Sequence, residues 1–311
     1  MKKRIITAVV LAAVLLPLVI IDHHKHPLAG YLFLGVGILF SIIASFEMIS
    51  LFYKKYPTIG ALRYIIPFMS GSLVYTIYLA TTHGLNIGDP IDASIVYHVL
   101  TMGLFILYVV IALGFSIFKN HSTAADMMGS VLTLTYCGLV MGFVINIRFL
   151  EPFDASELLY FRGGRSFAYL YTIVAATDSF AFFIGSRFGR HKLCPEISPK
   201  KTVEGAVAGL IAGSLFGVAA SFLFKIARPT GTSETVVIVF ATFLVSLLLS
   251  FAVQIGDLVA SKIKRTFDVK DFGYIFPGHG GVLDRFDSLI FSGAVYYIIV
   301  LLVKVVFIWS A

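Results

Sequence analysis

The chain has 311 residues, of which 58% are apolar and 13% charged, with a formal net charge of +7. A soluble fold cannot cover that much apolar surface, and runs of about 18 or more apolar residues read as membrane spans. The positive balance does not call for nucleic acid, because Lys and Arg collect in cytoplasmic loops beside anionic headgroups.

The N-terminus opens with MKKR and continues IITAVVLAAVLLPLVII. The run is long for a signal peptide and no A-x-A site follows, so it reads as an uncleaved first span. Apolar runs give nine candidate spans: roughly 5–21, 29–53, 64–82, 95–118, 127–147, 166–186, 205–224, 235–257 and 288–309. Each is near the ~20 residues that a helix needs to cross the hydrocarbon core. Helices satisfy their backbone groups within the segment, and the runs are too long and too uniformly apolar for barrel strands. The expected fold class is all-α: a polytopic integral membrane bundle of about nine transmembrane helices.

With the N-terminus in the cytoplasm, 17 Lys and Arg fall on the inside and six on the outside, while Lys304 sits within the last span. That asymmetry predicts an N-in, C-out protein of the cytoplasmic membrane. It also places the charged loops 187–204 and 258–287 in the cytoplasm, where nucleotides are. Residues 1–150 hold five spans and 151–311 hold four, divided by the interfacial-looking RFLEPFDASELLYFRGGR. Before that division Glu47 is the obvious acid within a span. His23, His24 and His26 have few other ligands near them and read as solvated. Cys137 and Cys194 form no CxxC pair, so neither a disulfide framework nor a zinc site is expected.

The sixth span contains DSFAFFIGSRFG. Asp178 lies inside an apolar helix, and an intramembrane acid is a functional candidate by default. Gly185 and Gly189 form a small-xxx-small face suited to helix packing. The next loop reads SPKKTVEG. Ser198 and Pro199 start a turn, Lys200 and Lys201 suit phosphate oxygens, and Thr202 is placed to cap the following helix, whose N-terminus is itself an anion site. An ordinary positive-inside loop explains the two lysines equally well but gives no reason for Glu204.

The densest charge lies in 256–288, where Asp257, Asp268, Asp271, Asp284 and Asp287 alternate with Lys262, Lys264, Arg265, Lys270 and Arg285. Read as a helix, 257–268 puts Asp257, Ser261, Lys264 and Asp268 on one face. Asp284 and Asp287 open the last span, where acids also serve as ordinary helix caps. Three carboxylates converging from two helix ends suit Mg²⁺, which takes carboxylate oxygens and keeps substrate phosphates as further ligands. A metal pair is a recurrent device for nucleotidyl displacement. Between them PGHGG is a turn, with Gly280 and Gly281 allowing close backbone approach and His279 as a proton donor or phosphate contact.

The stretch from Ser261 to Asp287 resembles the signature of the phosphatidate cytidylyltransferase (CDP-diacylglycerol synthase) family. SKIKR, KDFG and PGHGGVLDRFD keep every spacing of that pattern, and DSFAFFIGSRFG and SPKKTVEG are similar to the same family. The resemblance is clear over about 178–288; nothing residue-specific carries over to 1–150, where Glu47 is the residue that would match an acid of the family's early spans. It implies a nine-helix homodimeric membrane enzyme that joins CTP to phosphatidic acid, giving CDP-diacylglycerol and pyrophosphate. It also implies Mg²⁺, with K⁺ as an alternative second ion. By position, Asp257, Asp284 and Asp287 become metal ligands, and Lys200, Lys201, Lys264 and Arg265 phosphate contacts. The expected catalytic set is completed by His279. The expected nucleotide-binding set is Asp178, Ser198, Lys200, Lys201, Thr202, Glu204, Gly280, Gly281 and Arg285.

Two other readings compete. One is a CTP-dependent nucleotidyl- or phosphotransferase acting on another lipid such as a polyprenol. The other is a secondary transporter, since intramembrane acids also mark ion paths; the absence of paired Gly/Pro-interrupted spans argues against it. The charge count makes a direct prediction: tags at Met1 and Ala311 should label from opposite sides of the membrane. Labelling of both from one side would mean that a span had been missed or invented.

Overall fold

Among the described residues, eight helical segments are long and apolar enough to cross a membrane. The computed structural model describes residue 13 and residues 16–21, 25–55, 60–82, 93–118, 122–156, 158–276, 278 and 280–310. The expected span at 5–21 therefore lies largely outside the described residues, as do His23, His24, Pro277 and His279. The other eight expected spans are all present.

The first three are α1 (Pro27–Lys55), α2 (Leu62–Thr82) and α3 (Ala93–Ile117). The fourth span is not a continuous α-helix. It runs as α4 (Ala124–Thr133), a π-helical stretch Leu134–Val140, α5 (Met141–Asn146) and a 3₁₀ turn Ile147–Phe149. Then come α6 (Gly163–Phe188), α7 (Val203–Leu223), α8 (Thr232–Thr266) and α9 (Leu283–Ser310). Two short antiparallel hairpins, which apolar patterning does not reveal, interrupt the helices. They are β1 (Phe153–Ser156) with β2 (Leu159–Phe161), and β3 (Lys192–Cys194) with β4 (Ser198–Thr202). The chain is a multi-pass membrane protein built almost wholly from helices.

The residues divide into two compact units, 1–149 with 266–286 and 150–265 with 287–311. In the first unit α1 and α2 pack with the π-helical stretch. A π-turn leaves carbonyls without their usual partners. Here the Ser41 hydroxyl donates to the Cys137 carbonyl at 2.7 Å. Asn146 Nδ2 donates to the Val74 and Gly142 carbonyls at 3.1 and 2.8 Å. Arg148, the first residue of the interfacial-looking RFLEPFDASELLYFRGGR, is buried; its guanidinium donates to the Leu18 and Ile21 carbonyls. Helix C-termini leave such carbonyls unsatisfied, which accounts for an arginine there.

The second unit is built on close helix crossings. Gly185 of α6 meets Gly205 of α7 so tightly that a Cβ on Gly205 would lie 2.6 Å from the Ala181 carbonyl oxygen and 2.9 Å from Gly185 Cα. Helices in lipid associate through such small residues and through hydroxyl hydrogen bonds. Both devices are present: Thr177 and Ser250 hydroxyls pair at 2.7 Å, Tyr169 and Ser246 at 2.8 Å, and Gln254 donates to the Ala206 carbonyl at 2.9 Å.

Two local expectations are corrected. The turn does not begin at Ser198 and Pro199: it occupies 195–197, Ile197 N–H closes on the Cys194 carbonyl at 3.2 Å, and Ser198 already pairs in β4. Pro195 supplies the fixed φ that suits a turn opening. The helix expected to run to residue 268 stops at Thr266. Asp268 has φ +52°, in the left-handed region, so it leaves the stripe of Asp257, Ser261 and Lys264.

The α6–α7 crossing generates a stability prediction. Gly205→Ala should destabilise the protein by roughly 1–3 kcal/mol, because the clashing atoms are backbone and cannot give way. Gly103→Ala and Gly114→Ala in α3, where a Cβ meets nothing within 4 Å, should be neutral or slightly stabilising. Unfolding temperatures in one detergent would compare the three.

Candidate active site

Helix α8 has 35 residues. At 1.5 Å per residue it is about 52 Å long, well beyond the ~30 Å hydrocarbon core. Its apolar part ends near Gly256, so Asp257, Ser261, Lys264 and Arg265 occupy the polar extension. Gly256 is the point where α8 meets α9: a Cβ there would lie 2.7 Å from the Asp287 carbonyl oxygen. That close approach brings Asp257 and Asp287 to the same level of the second unit.

Both acids are paired. Asp257 Oδ2 is 2.5 Å from Lys201 Nζ, and its Oδ1 accepts from the Ser261 hydroxyl at 3.3 Å. Asp287 Oδ2 is 3.7 Å from Lys264 Nζ, and its Oδ1 accepts the Ser288 N–H at 2.9 Å. A third acid joins from α6: Asp178 lies within interaction range of the Ser288 side chain, Asp257 and Lys201. Three helices thus contribute one carboxylate each to a polar cluster that also holds two lysines.

The β3–β4 hairpin delivers Lys201. Successive side chains of a strand point to opposite faces. Lys201 is half-buried against Asp257, whereas Lys200 is exposed on the other side. Thr202 ends the strand and caps α7, its hydroxyl accepting the Gly205 N–H at 3.2 Å. Glu204, the residue that a basic loop left unexplained, accepts N–H groups from Arg190 and His191 at 3.0 and 3.2 Å, and His191 Nδ1 sits 2.6 Å from it. It closes the hairpin onto the end of α6. Arg265 Nε donates to the Ile197 carbonyl at 3.3 Å, tying the end of α8 to the hairpin turn.

The first unit holds the remainder of the signature, residues 266–286. Asp284 is buried, and its Oδ2 accepts the N–H groups of Phe272 and Gly281 at 2.8 and 3.0 Å. Glu47 of α1 is also buried and accepts the N–H groups of Val282 and Leu283 at 3.1 and 3.2 Å. Two carboxylates therefore act as the nuclei around which this loop is wound. Gly278 and Gly280 have φ +78° and +84°, which side chains other than glycine's rarely adopt. Phe276 N–H closes on the Gly280 carbonyl at 2.9 Å. The loop is fastened further by Lys55, which donates to the Thr266 carbonyl at 3.0 Å, and by Phe52 edge-on to Phe267.

Of the residues singled out from sequence, the second unit brings together Asp178, Lys201, Asp257, Lys264 and Asp287. Ser198 and Lys200 stand on the same hairpin, while Thr202, Glu204 and Arg265 hold that hairpin in place. Asp284, Gly280, Gly281 and the exposed Arg285 belong to the first unit. His279 lies outside the described residues. The hydrogen bonds of Glu47 had no sequence signal beyond an acid in an apolar helix, since its partners lie 235 and 236 residues away. Ser288 was hidden by its ordinary position inside a predicted span.

This constellation coincides with a match along nearly the whole chain. The model of the cytidylyltransferase family matches residues 2–303. The chain belongs to the cytidylyltransferase family. The phosphatidate cytidylyltransferase of Bacillus subtilis is 30% identical over 293 residues, covering 94% of each chain. That of Staphylococcus haemolyticus is 29% identical over 297 residues, covering 94% of this chain and 95% of its own. The Rickettsia felis protein of the same name is 42% identical over 134 residues, 42% of this chain and 57% of its own.

A cytidylyltransferase handles a triphosphate, and Mg²⁺ is the ion that commonly joins such phosphates to protein carboxylates. Among the described residues, no three His, Cys, Asp or Glu side chains are gathered so as to hold a metal unaided. Mg²⁺ does not need that: it is usually held by one or two carboxylates plus substrate phosphates and water. Asp257 and Asp287, with Asp178 beside them, provide such a donor set.

The lysine partners make a measurable prediction. Lys201→Gln and Asp257→Asn should show non-additive stability effects, with a coupling of about 1 kcal/mol for a partly exposed pair. Lys200→Gln should show no coupling to Asp257→Asn. Detergent unfolding of the single and double variants measures both.

Proposed function

We infer that this cytidylyltransferase transfers CMP from CTP to phosphatidic acid, giving CDP-diacylglycerol and pyrophosphate. Family membership supplies the reaction class. The observation that carries the chemistry is the cluster of Asp178, Asp257 and Asp287 with Lys201 and Lys264 at the end of a transmembrane bundle.

A phosphate oxygen of phosphatidic acid attacks the α-phosphorus of CTP. The bond from that phosphorus to the oxygen bridging it to the β-phosphate breaks, and pyrophosphate leaves with the electron pair. The attacking oxygen is already anionic, so no strong general base is needed. The barrier lies in bringing an anion up to a triphosphate. Asp257 and Asp287 are the residues that would hold Mg²⁺, and the ion when bound neutralises phosphate charge. Lys201 and Lys264 stand beside those carboxylates, where their ammonium groups can turn to phosphate oxygens and stabilise the charge gathering on pyrophosphate. Lys200, on the opposite face of β4, adds long-range attraction for the nucleotide.

The cytoplasmic face of the cell membrane is the side we propose for this site, on the strength of the Lys and Arg asymmetry. There CTP arrives from water and the lipid from the bilayer. A homodimer and K⁺ as second ion remain part of the proposal; crosslinking and ion substitution in the same preparation test them.

The experiment is turnover of purified protein with phosphatidic acid, CTP and Mg²⁺, with polyprenyl phosphate as the competing lipid. Pyrophosphate and CDP-diacylglycerol should appear in equal amounts. Asp257→Asn and Asp287→Asn should each lower kcat on the order of 10²–10³-fold. Lys201→Gln should weaken CTP binding on the order of 10- to 100-fold, with a smaller effect on phosphatidate and a smaller effect from Lys200→Gln. Unchanged turnover in both aspartate variants would remove the cluster from the mechanism.

A further inference from the structure

We propose that Glu47 is a positioning residue for this reaction: through the amides of Val282 and Leu283 it sets the first turn of α9, the helix that carries Asp284 and Asp287. The proposal rests on the cytidylyltransferase reading above.

Glu47 is 6% exposed and lies in the last third of α1. Its Oε1 accepts Val282 N–H at 3.1 Å and its Oε2 accepts Leu283 N–H at 3.2 Å. Leu283 opens α9, so these are among the N–H groups that a helix cannot satisfy internally. The positive end of the helix dipole offsets the burial of the carboxylate.

The loop is cut to admit this side chain. A Cβ on Gly273 would lie 2.6 Å from Glu47 Cδ, and one on Gly281 would lie 2.5 Å from the same atom. Gly281 also donates its N–H to Asp284, so one residue touches Glu47 and donates to Asp284. An apolar side chain at position 47 would bury itself without any desolvation cost. What it could not do is fix two adjacent amides in direction. Glu47 acts through the turn, so its role is positioning.

The test is Glu47→Gln, which keeps shape and one acceptor but turns an NH₂ toward the second amide. Hydrogen exchange should show loss of protection at residues 282–283 with α2 and α3 unchanged. The kcat should fall on the order of 100-fold, as expected for a displaced reacting constellation. KM for CTP and for phosphatidate should stay within about threefold, since uniform binding is untouched. Glu47→Asp, with two oxygens on a shorter stem, should recover part of kcat. Gly281→Ala should reproduce the defect from the loop side if Glu47→Gln fails to insert.

Three results would overturn the proposal. One is exchange at 282–283 without loss of kcat. Another is loss of kcat with protection intact, which would make Glu47 a direct participant. The third is loss of protection throughout α2 and α3, which would make it purely structural. If the wild-type protein makes no CDP-diacylglycerol, the reaction assignment fails, while the exchange result still decides whether Glu47 holds the turn.

Discussion

Carboxylates placed at the border of an apolar helix bundle must find their partners inside the protein. An ionised acid there loses much of its water, and the loss is tolerable only with donors or cations at close range. Four acids of this protein meet the demand in two ways. Glu47 and Asp284 are met by backbone N–H groups. Asp257 and Asp287 are met by lysines, and each also accepts a hydrogen bond. Backbone donors are fixed in place, so they shape a loop. Lysines sit on flexible stems and can exchange one anion for another, so they suit a place where phosphates arrive.

That distinction leaves the acids of the signature in different surroundings. Asp284 looked from sequence like the equal of Asp287, three residues further along the same helix. In the structure its Oδ2 organises the loop, whereas Asp287 faces Lys264. The glycines of the signature serve the same economy of space. Gly280 and Gly281 admit the carboxylates of Asp284 and Glu47 beside the backbone.

Much of this was legible in advance because its signals are strong. Eight spans follow from apolar run length, which the bilayer imposes on any helix that crosses it. The Thr202 cap and the Gly185 packing face follow from local rules and both hold. The turn at 195–197 was displaced because Ser-Pro and Pro195 both signal turns and the second one won. The overlong α8 hid its end because Thr266 to Val269 contains no proline or glycine. Least legible were the partners. Nothing in a sequence pairs Glu47 with Leu283, or decides which of two adjacent lysines reaches Asp257.

That last choice is made by the hairpin. In a helix or an irregular loop Lys200 and Lys201 would be near equivalents. In β4 the pleat sends them apart. Lys201 is then bound by its pairing with Asp257, and its register is fixed from both ends. Thr202, one residue on, is pinned as the α7 cap, and the turn before the strand is tied to α8 by Arg265. A slip of one residue would exchange the two lysines, but it would also strip α7 of its cap and break the Lys192–Thr202 pairing. The two-residue motif therefore encodes one lysine inside the acid cluster and one outside it. The assignment is enforced by the Thr202 cap on one side and by the turn at 195–197 on the other.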